Sequence, residues 1–324
     1  MVARPVRYAE GSGGADTATP DPADLEATLA LVRACEQRVL GEADSTADEV
    51  AEMFLGPTTD RGATQLVHAG DRLVGFVWVE NDPTAGESWI DIYAEPHDTD
   101  LVSGLIEFGR AVAAAHRVAA PETETEWSLR SGCFGTDTPL VRSFEEAGFE
   151  RVRRFWRMRI ELITDDPTED QPPLPPGVAV IDAHAEPERR TAYDVQTTSF
   201  VDHWNNVARS YDEWLDYLVS VHDDPAGWWV LTVDGAPAAV CLLDDSRMEV
   251  LEGYVRALGV LREFRGRGYA ELLLRRAFDY YRGRGCVAVV LGVDSESPTG
   301  ANHLYEKVGM RPHRVIDAWS LPVH

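Results

Sequence analysis

Apolar residues recur along this chain at two periods, and the two alternate. From Gly253 to Val260 the residues are short and largely apolar, which predicts a strand. Ala270, Leu273, Leu274, Ala277, Phe278 and Tyr281 then fall at i, i+3, i+4, i+7, i+8 and i+11, one apolar face of a helix. Gly283 and Gly285 supply its stop signal. Cys286 to Val293 is nearly all apolar, as expected of a strand buried on both faces. Upstream, Val178 to Ile181 predicts a strand, and Glu186 to Thr197 and Tyr211 to Val221 predict helices, the second with Trp214, Leu215 and Leu218 on one face. Trp228 to Leu243 reads as a hairpin turning at Asp234-Gly235.

The first half shows the same order. A possible short strand at Val2 to Tyr8 precedes a helix carrying Leu25, Leu29, Leu31 and Val32, with Asp21 or Asp24 as its cap. A short helix around Val50, Met53 and Phe54 follows, then a hairpin from Gln65 to Val77 turning at Gly70-Asp71. Trp89 to Ala94 predicts a strand, Leu101 to His116 a helix, Glu126 to Leu129 a strand, Pro139 to Ala147 a helix and Arg151 to Leu162 a strand. Residues 164–177 are rich in proline and acidic side chains, a composition that stays extended and builds no core. Phe144-Glu145-Glu146-Ala147-Gly148-Phe149 near the end of the first half parallels Tyr305-Glu306-Lys307-Val308-Gly309-Met310 near the end of the second. The chain therefore divides into residues 1–163, a linker over 164–177 and residues 178–324, the second domain repeating the first.

Composition narrows the partners. The 55 acidic and 30 basic residues among 324 give a formal charge of -25. That disfavours nucleic acid and anionic membrane, which need a basic footprint; it suits a cationic or amine substrate, and equally an ordinary well-solvated acidic surface. Arg262, Arg265, Arg267, Arg275 and Arg276 reverse the sign locally, as an anionic ligand requires. The four cysteines form no C-x-x-C pair, so buried free thiols are expected, with neither disulfides nor a metal site. The N-terminus lacks an apolar signal core and no stretch is long enough to span a bilayer; a cytoplasmic location is the expectation.

The candidate chemistry lies between the strand ending at Val260 and the helix that follows. Arg265-Gly266-Arg267-Gly268-Tyr269-Ala270 is a glycine loop at a helix start, where unpaired amides and the helix dipole make a phosphate site. At these residues the sequence resembles the GNAT superfamily of acyl-CoA-dependent N-acyltransferases. The family loop reads Q/R-x-x-G-x-G/A, and Glu263-Phe264-Arg265-Gly266-Arg267-Gly268 fits it except at Glu263. The tyrosine-then-glycine signature appears as Tyr305 to Gly309. The resemblance implies an α/β (α+β) chain of two tandem GNAT folds, each a central mixed, mostly antiparallel sheet flanked by helices. Two strands of that sheet splay apart, and the pantetheine lies in the gap. It implies acetyl-CoA as co-substrate and direct attack by an amine, with no acyl-enzyme and no metal. Leu258, Gly259 and Val260 would pair with the pantetheine amides, while Arg265, Gly266, Arg267, Gly268, Tyr269 and Ala270 would hold the pyrophosphate. Ser297 or Thr299 would offer a further cofactor contact where the family often has asparagine. Tyr305 would protonate the leaving thiolate; the alternative is a core-packed tyrosine.

A general base is harder to place. Glu252, at the start of the strand leading to Leu258, is the candidate, with Glu249 or solvent as alternatives. Phe200-Val201-Asp202-His203-Trp204-Asn205-Asn206 is the candidate acceptor wall. In the first half His97-Asp98-Thr99-Asp100 replaces the glycine loop and Phe144 replaces the tyrosine, so that domain is expected to have lost the chemistry. The expected activity is N-acetylation of a small-molecule primary amine by the second domain, in a monomer or homodimer. A non-catalytic acyl-CoA-binding or regulatory protein and a protein acetyltransferase are the other readings, and retention of Tyr305 opposes the first of them.

Overall fold

The computed structural model describes residues 9–10, 13–14, 16–56, 59–95, 97–120, 126–162, 174–219, 227–297 and 300–324. Three sequence expectations fall outside these residues: the strand at Val2 to Tyr8, most of the linker, and Thr299. The chain forms two compact units, one of residues 1–155 with 315–324, the other of residues 156–314. In chain order the first unit holds a two-residue ribbon, β1 (Ala9–Glu10) and β2 (Gly13–Gly14), then β3 (Asp16–Ala18), α1 (Leu25–Leu40) and α2 (Ala47–Leu55). The hairpin β4 (Gln65–Ala69) and β5 (Arg72–Asp82) follows, with β6 (Glu87–Ala94), α3 (Thr99–Ala119), β7 (Trp127–Phe134) and α4 (Thr138–Glu146). The chain passes into the second unit along β8 (Glu150–Glu161), then forms β9 (Val178–Asp182), α5 (Glu188–Ser199), α6 (Tyr211–Val219), β10 (Trp229–Val233), β11 (Ala236–Asp244) and β12 (Glu252–Val260). Next come α7 (Tyr269–Gly283), β13 (Ala288–Asp294), α8 (Ala301–Lys307) and β14 (Arg311–Val323), which returns the chain to the first unit.

Each unit is built on a mixed sheet. In the first the strand order is β3-β4-β5-β6-β7-β14, and in the second β9-β10-β11-β12-β13-β8. β6 with β7 and β12 with β13 are parallel, whereas the hairpin strands beside them are antiparallel. In the second unit Leu273, Leu274, Tyr281, Val289 and Leu291 pack on one face, and Val195, Trp214, Trp228 and Val240 pack under α5 and α6 on the other. The first unit repeats this with α3 and α4 on one face and α1 and α2 on the other. A sheet apolar on both faces needs helices on both, so each half carries two pairs of them.

The predicted hairpins turn at Gly70-Asp71 and Asp234-Gly235 as the sequence indicates. β14 is the element the periodicity does not reveal. Pro312 and Pro322 interrupt it, and proline weakens a strand reading. Nevertheless Ile316 to Val323 pair antiparallel with Phe134 to Trp127 of β7. Asp317, 3% exposed, accepts two hydrogen bonds from Arg154, at 2.7 and 2.8 Å.

Candidate active site

Two irregularities in β12 shape the second unit's site. Against β11 the register runs from Ala239↔Val260 to Leu242↔Ala257, then shifts so that Leu243 faces Val255. Arg256 is the extra residue of this bulge, and a bulge turns the following side chains to the other face. Thus Val255 before it and Leu258 and Val260 after it all belong to the α7 side, while Ala257 packs under α5. The hydroxyl of Tyr281 lies 2.8 Å from the Asp244 carbonyl and 2.9 Å from that of Tyr254, its one proton shared between them. It also accepts from the Asp244 amide at 3.2 Å, so α7 pins both strands beside the bulge. On the other edge, parallel pairing with β13 runs from Glu252↔Ala288 to Val255↔Leu291, although β12 continues to Val260 and β13 to Asp294.

Past that point a cleft of about 410 Å³ opens. Leu258, Gly259 and Val260 form one side of it, and Gly266, Gly268, Tyr269 and Ala270 another. Arg265, Phe200, His203 and Tyr305 also line it, as do Glu271 and Lys307, so the loop, the strand end and the tyrosine are brought together. Gly266 and Gly268 have φ of +75° and +84°, a region that glycine enters without strain. Gly268 caps α7 with no side-chain hydrogen bond to its first amides, and a Cβ on either glycine would meet no atom within 4 Å. The helix start is thus uncapped and faces open space, which fits an anion. Arg265 hydrogen-bonds the carbonyls of Val260 (3.1 Å) and Ser199 (3.2 Å), and among the described residues no carboxylate pairs with it. Gly259 has a different reason: a Cβ there would lie 2.2 Å from Ser199 Oγ, so α5 can pack directly on the strand.

Tyr305 is 7% exposed on α8. Burial pushes its phenol up to about 12, with nearby Cys241 adding in the same direction, so it keeps its proton at neutral pH. The other predicted residues lie elsewhere. Glu252 sits six residues from Leu258, about 20 Å along the strand, and is not brought to the cleft. Its carboxylate takes hydrogen bonds from Arg159 (2.9 Å) and Arg247 (2.8 and 2.9 Å), which makes it a structural ion pair. Glu249 is exposed on the turn before β12. Arg267 reaches back to the Glu263 carbonyl at 3.2 Å and does not line the cleft. Ser297 stands in the turn after β13, its amide bonded to the Asp294 carbonyl at 3.0 Å, and is not a lining residue either.

Of the predicted acceptor wall, Phe200 and His203 reach the cleft, whereas Asp202 pairs with Arg262 at 2.7 Å. Ser199 is a lining residue the sequence did not single out, since a serine at a helix end carries no pattern. The basic cluster is partly neutralised, because Glu271 takes Arg275 at 3.1 Å and Lys307 at 2.6 Å. Cys35, Cys133, Cys241 and Cys286 are all buried and unpaired. Burial raises Cys35 to about 11 and Cys241 further, so neither is a ready nucleophile.

In the first unit the equivalent positions are closed. The β5–β6 register runs without a shift from Gly75↔Ala94 to Asp82↔Glu87. At the start of α3 the Asp98 carboxylate accepts from the Leu101 amide at 2.9 Å. Phe144 is fully buried, its ring 5.2 Å from Phe149 and 5.9 Å from Trp319.

Residues 189–310 match the acetyltransferase (GNAT) family. The chain is 29% identical over 313 residues to a mycothiol acetyltransferase of Salinispora arenicola, covering 89% of this chain and 90% of that protein. Among solved structures it is similar to a GCN5-related N-acetyltransferase from Sphaerobacter thermophilus, with a TM-score of 0.81, 26% identity and 96% of each chain covered. A tandem GNAT protein from the clavulanic acid biosynthesis pathway shares the fold at a TM-score of 0.68 and 17% identity, over 96% of this chain and 99% of that one. No helix among the described residues is long and apolar enough to cross a membrane.

Proposed function

From a chain that carries a GNAT acetyltransferase domain over residues 189–310 and is an N-acetyltransferase, we propose a specific reaction: the second unit transfers an acetyl group from acetyl-CoA to the primary amine of a small molecule, directly and within one ternary complex. The observation that carries this reading is the convergence of Leu258 to Val260, the uncapped start of α7 and Tyr305 on one cleft of about 410 Å³. Acetyl-CoA supplies the electrophilic thioester carbonyl. The backbone of Leu258 to Val260 orients the pantetheine arm, and the α7 amides with Arg265 hold the phosphates. Tyr305 Oη holds a proton that the departing sulfur accepts. Glu252 has no part in this scheme, being occupied by Arg159 and Arg247.

Two features support a small-molecule acceptor: the similarity to a mycothiol acetyltransferase over nearly the whole chain, and the aromatic side of the cleft formed by Phe200 and His203. The first unit is inactive in this reading because Asp98 caps the helix that would bind phosphate and Phe144 offers no proton. The test is release of free thiol from acetyl-CoA across a panel of small primary amines, with calorimetry for the cofactor. Turnover of an amine with about one acetyl-CoA site per chain is expected. Two equivalent sites, or thiol release indifferent to every amine, would overturn it.

A further inference from the structure

We propose that His203 is a cofactor-binding residue of this cleft, its imidazole closing over the phosphate-bearing arm of the acyl-CoA and taking up a proton as that anion binds. The inference rests on the acyl-CoA reading given above. His203 lines the same cleft as Gly266 and Gly268, and its position is fixed on two sides. Its amide donates to the Phe200 carbonyl at 2.9 Å, and its ring stacks on the Phe200 ring at 4.1 Å between centroids, 27° from parallel. Phe200 in turn rests on β12, where a Cβ on Gly259 would come within 3.0 Å of its ring. A freely rotating surface histidine would have none of these restraints.

The charges around the ring decide its state. Burial of one face against Phe200 lowers the His203 pKa most, although the residue remains exposed on its outer side. Asp294, at the end of β13, pulls it up, Arg265 of the glycine loop pushes it down, and Asp202 of its own loop pulls it up. The result lies below the ordinary 6.5, so without ligand the ring is neutral at pH 7. A phosphate-bearing ligand held by Arg265 and the α7 amides brings negative charge beside it, and a nearby anion favours the protonated imidazole. The bound pKa therefore exceeds the free one. Between the two values binding draws a proton from solvent, and affinity rises as the pH falls through that window.

The experiment titrates the full-length protein calorimetrically with coenzyme A, in pairs of buffers that differ in ionisation enthalpy. Near pH 6.5 the wild type should take up about half a proton more than His203→Gln; this difference removes the cofactor's own phosphate ionisation. The wild type's advantage in affinity over the variant should grow about tenfold between pH 8.5 and pH 5.5, the ratio for a one-unit shift. His203→Arg, with its permanent charge, should keep tight binding at pH 8.5 and show no extra proton uptake, which a merely structural role would not produce. Equal proton counts in wild type and His203→Gln overturn this inference alone. Absence of any coenzyme A binding overturns the acyl-CoA reading together with it.

Discussion

Tyr305 and Glu252 are two site candidates that the tertiary structure places in different surroundings. Tyr305 lines the cleft with a phenol raised to about 12, so it is protonated throughout the working range of an acetyltransferase. Tyr305→Phe should therefore lower turnover by about 10²–10⁴-fold while calorimetry finds acetyl-CoA affinity nearly unchanged. Retained turnover would return the residue to a packing role. For the same reason wild-type turnover should show no descending limb from this phenol below about pH 10. Glu252 gives the opposite result. Its buried pairing with Arg247 and Arg159 makes Glu252→Gln a stability lesion of about 3 kcal/mol, read by denaturant unfolding, with kcat of the folded variant near wild type.

The starts of α7 and α3 are the same element put to two uses. Both follow a strand at the point where parallel pairing has ended, and both offer unpaired amides. α3 satisfies one of them with Asp98, whereas α7 leaves them to the cleft under Gly268. Gly268→Glu places a β-carbon at φ +84° and a carboxylate at the proposed anion site. Strain and repulsion together should weaken acetyl-CoA binding at least about 100-fold, measured by calorimetry; undiminished affinity would remove the phosphate role from this loop. Gly259→Val tests another contact of the element. Its side chain would collide with Ser199, so a drop in thermal midpoint together with cofactor affinity is expected, since α5 and Phe200 must then move.

At the scale of the molecule, each unit draws strands from both sides of the linker. Residues 156–161 of β8 lie before it yet belong to the second unit, and residues 315–323 of β14 lie after it yet pair with β7 in the first. A fragment of residues 178–324 would therefore lack Met158 and Leu162 from its core and carry β14 without its partner. It should be poorly soluble or unstable. By contrast, proteolytic cutting between residues 163 and 173 should leave the two pieces co-eluting in size-exclusion chromatography. A soluble, monomeric and fully active fragment would contradict this account. It would not bear on the proposed single acetyl-CoA site, which calorimetry of the whole chain tests separately.

What the sequence determined by itself was local. The helix and strand periods, both hairpin turns, the glycine loop and the tyrosine all depend on spacing within about a dozen residues, and the fold follows because each apolar face must be covered. That the first half lacks the glycine loop and the tyrosine was legible on the same terms, from Asp98 and Phe144 standing at matched positions. Tertiary structure alone decided what depends on contacts distant in the chain. Glu252 looked like a base from its place on β12, and pairing with Arg159, 93 residues away, is what removes it. β14, interrupted by Pro312 and Pro322, has no period-two signal of its own, and partners on β7 are what make it a strand. His203 belonged to a candidate acceptor wall in the sequence, and only the fold gathered Phe200, Arg265 and Asp294 around it. A side chain's partners come from packing across the whole chain, and no local pattern encodes them.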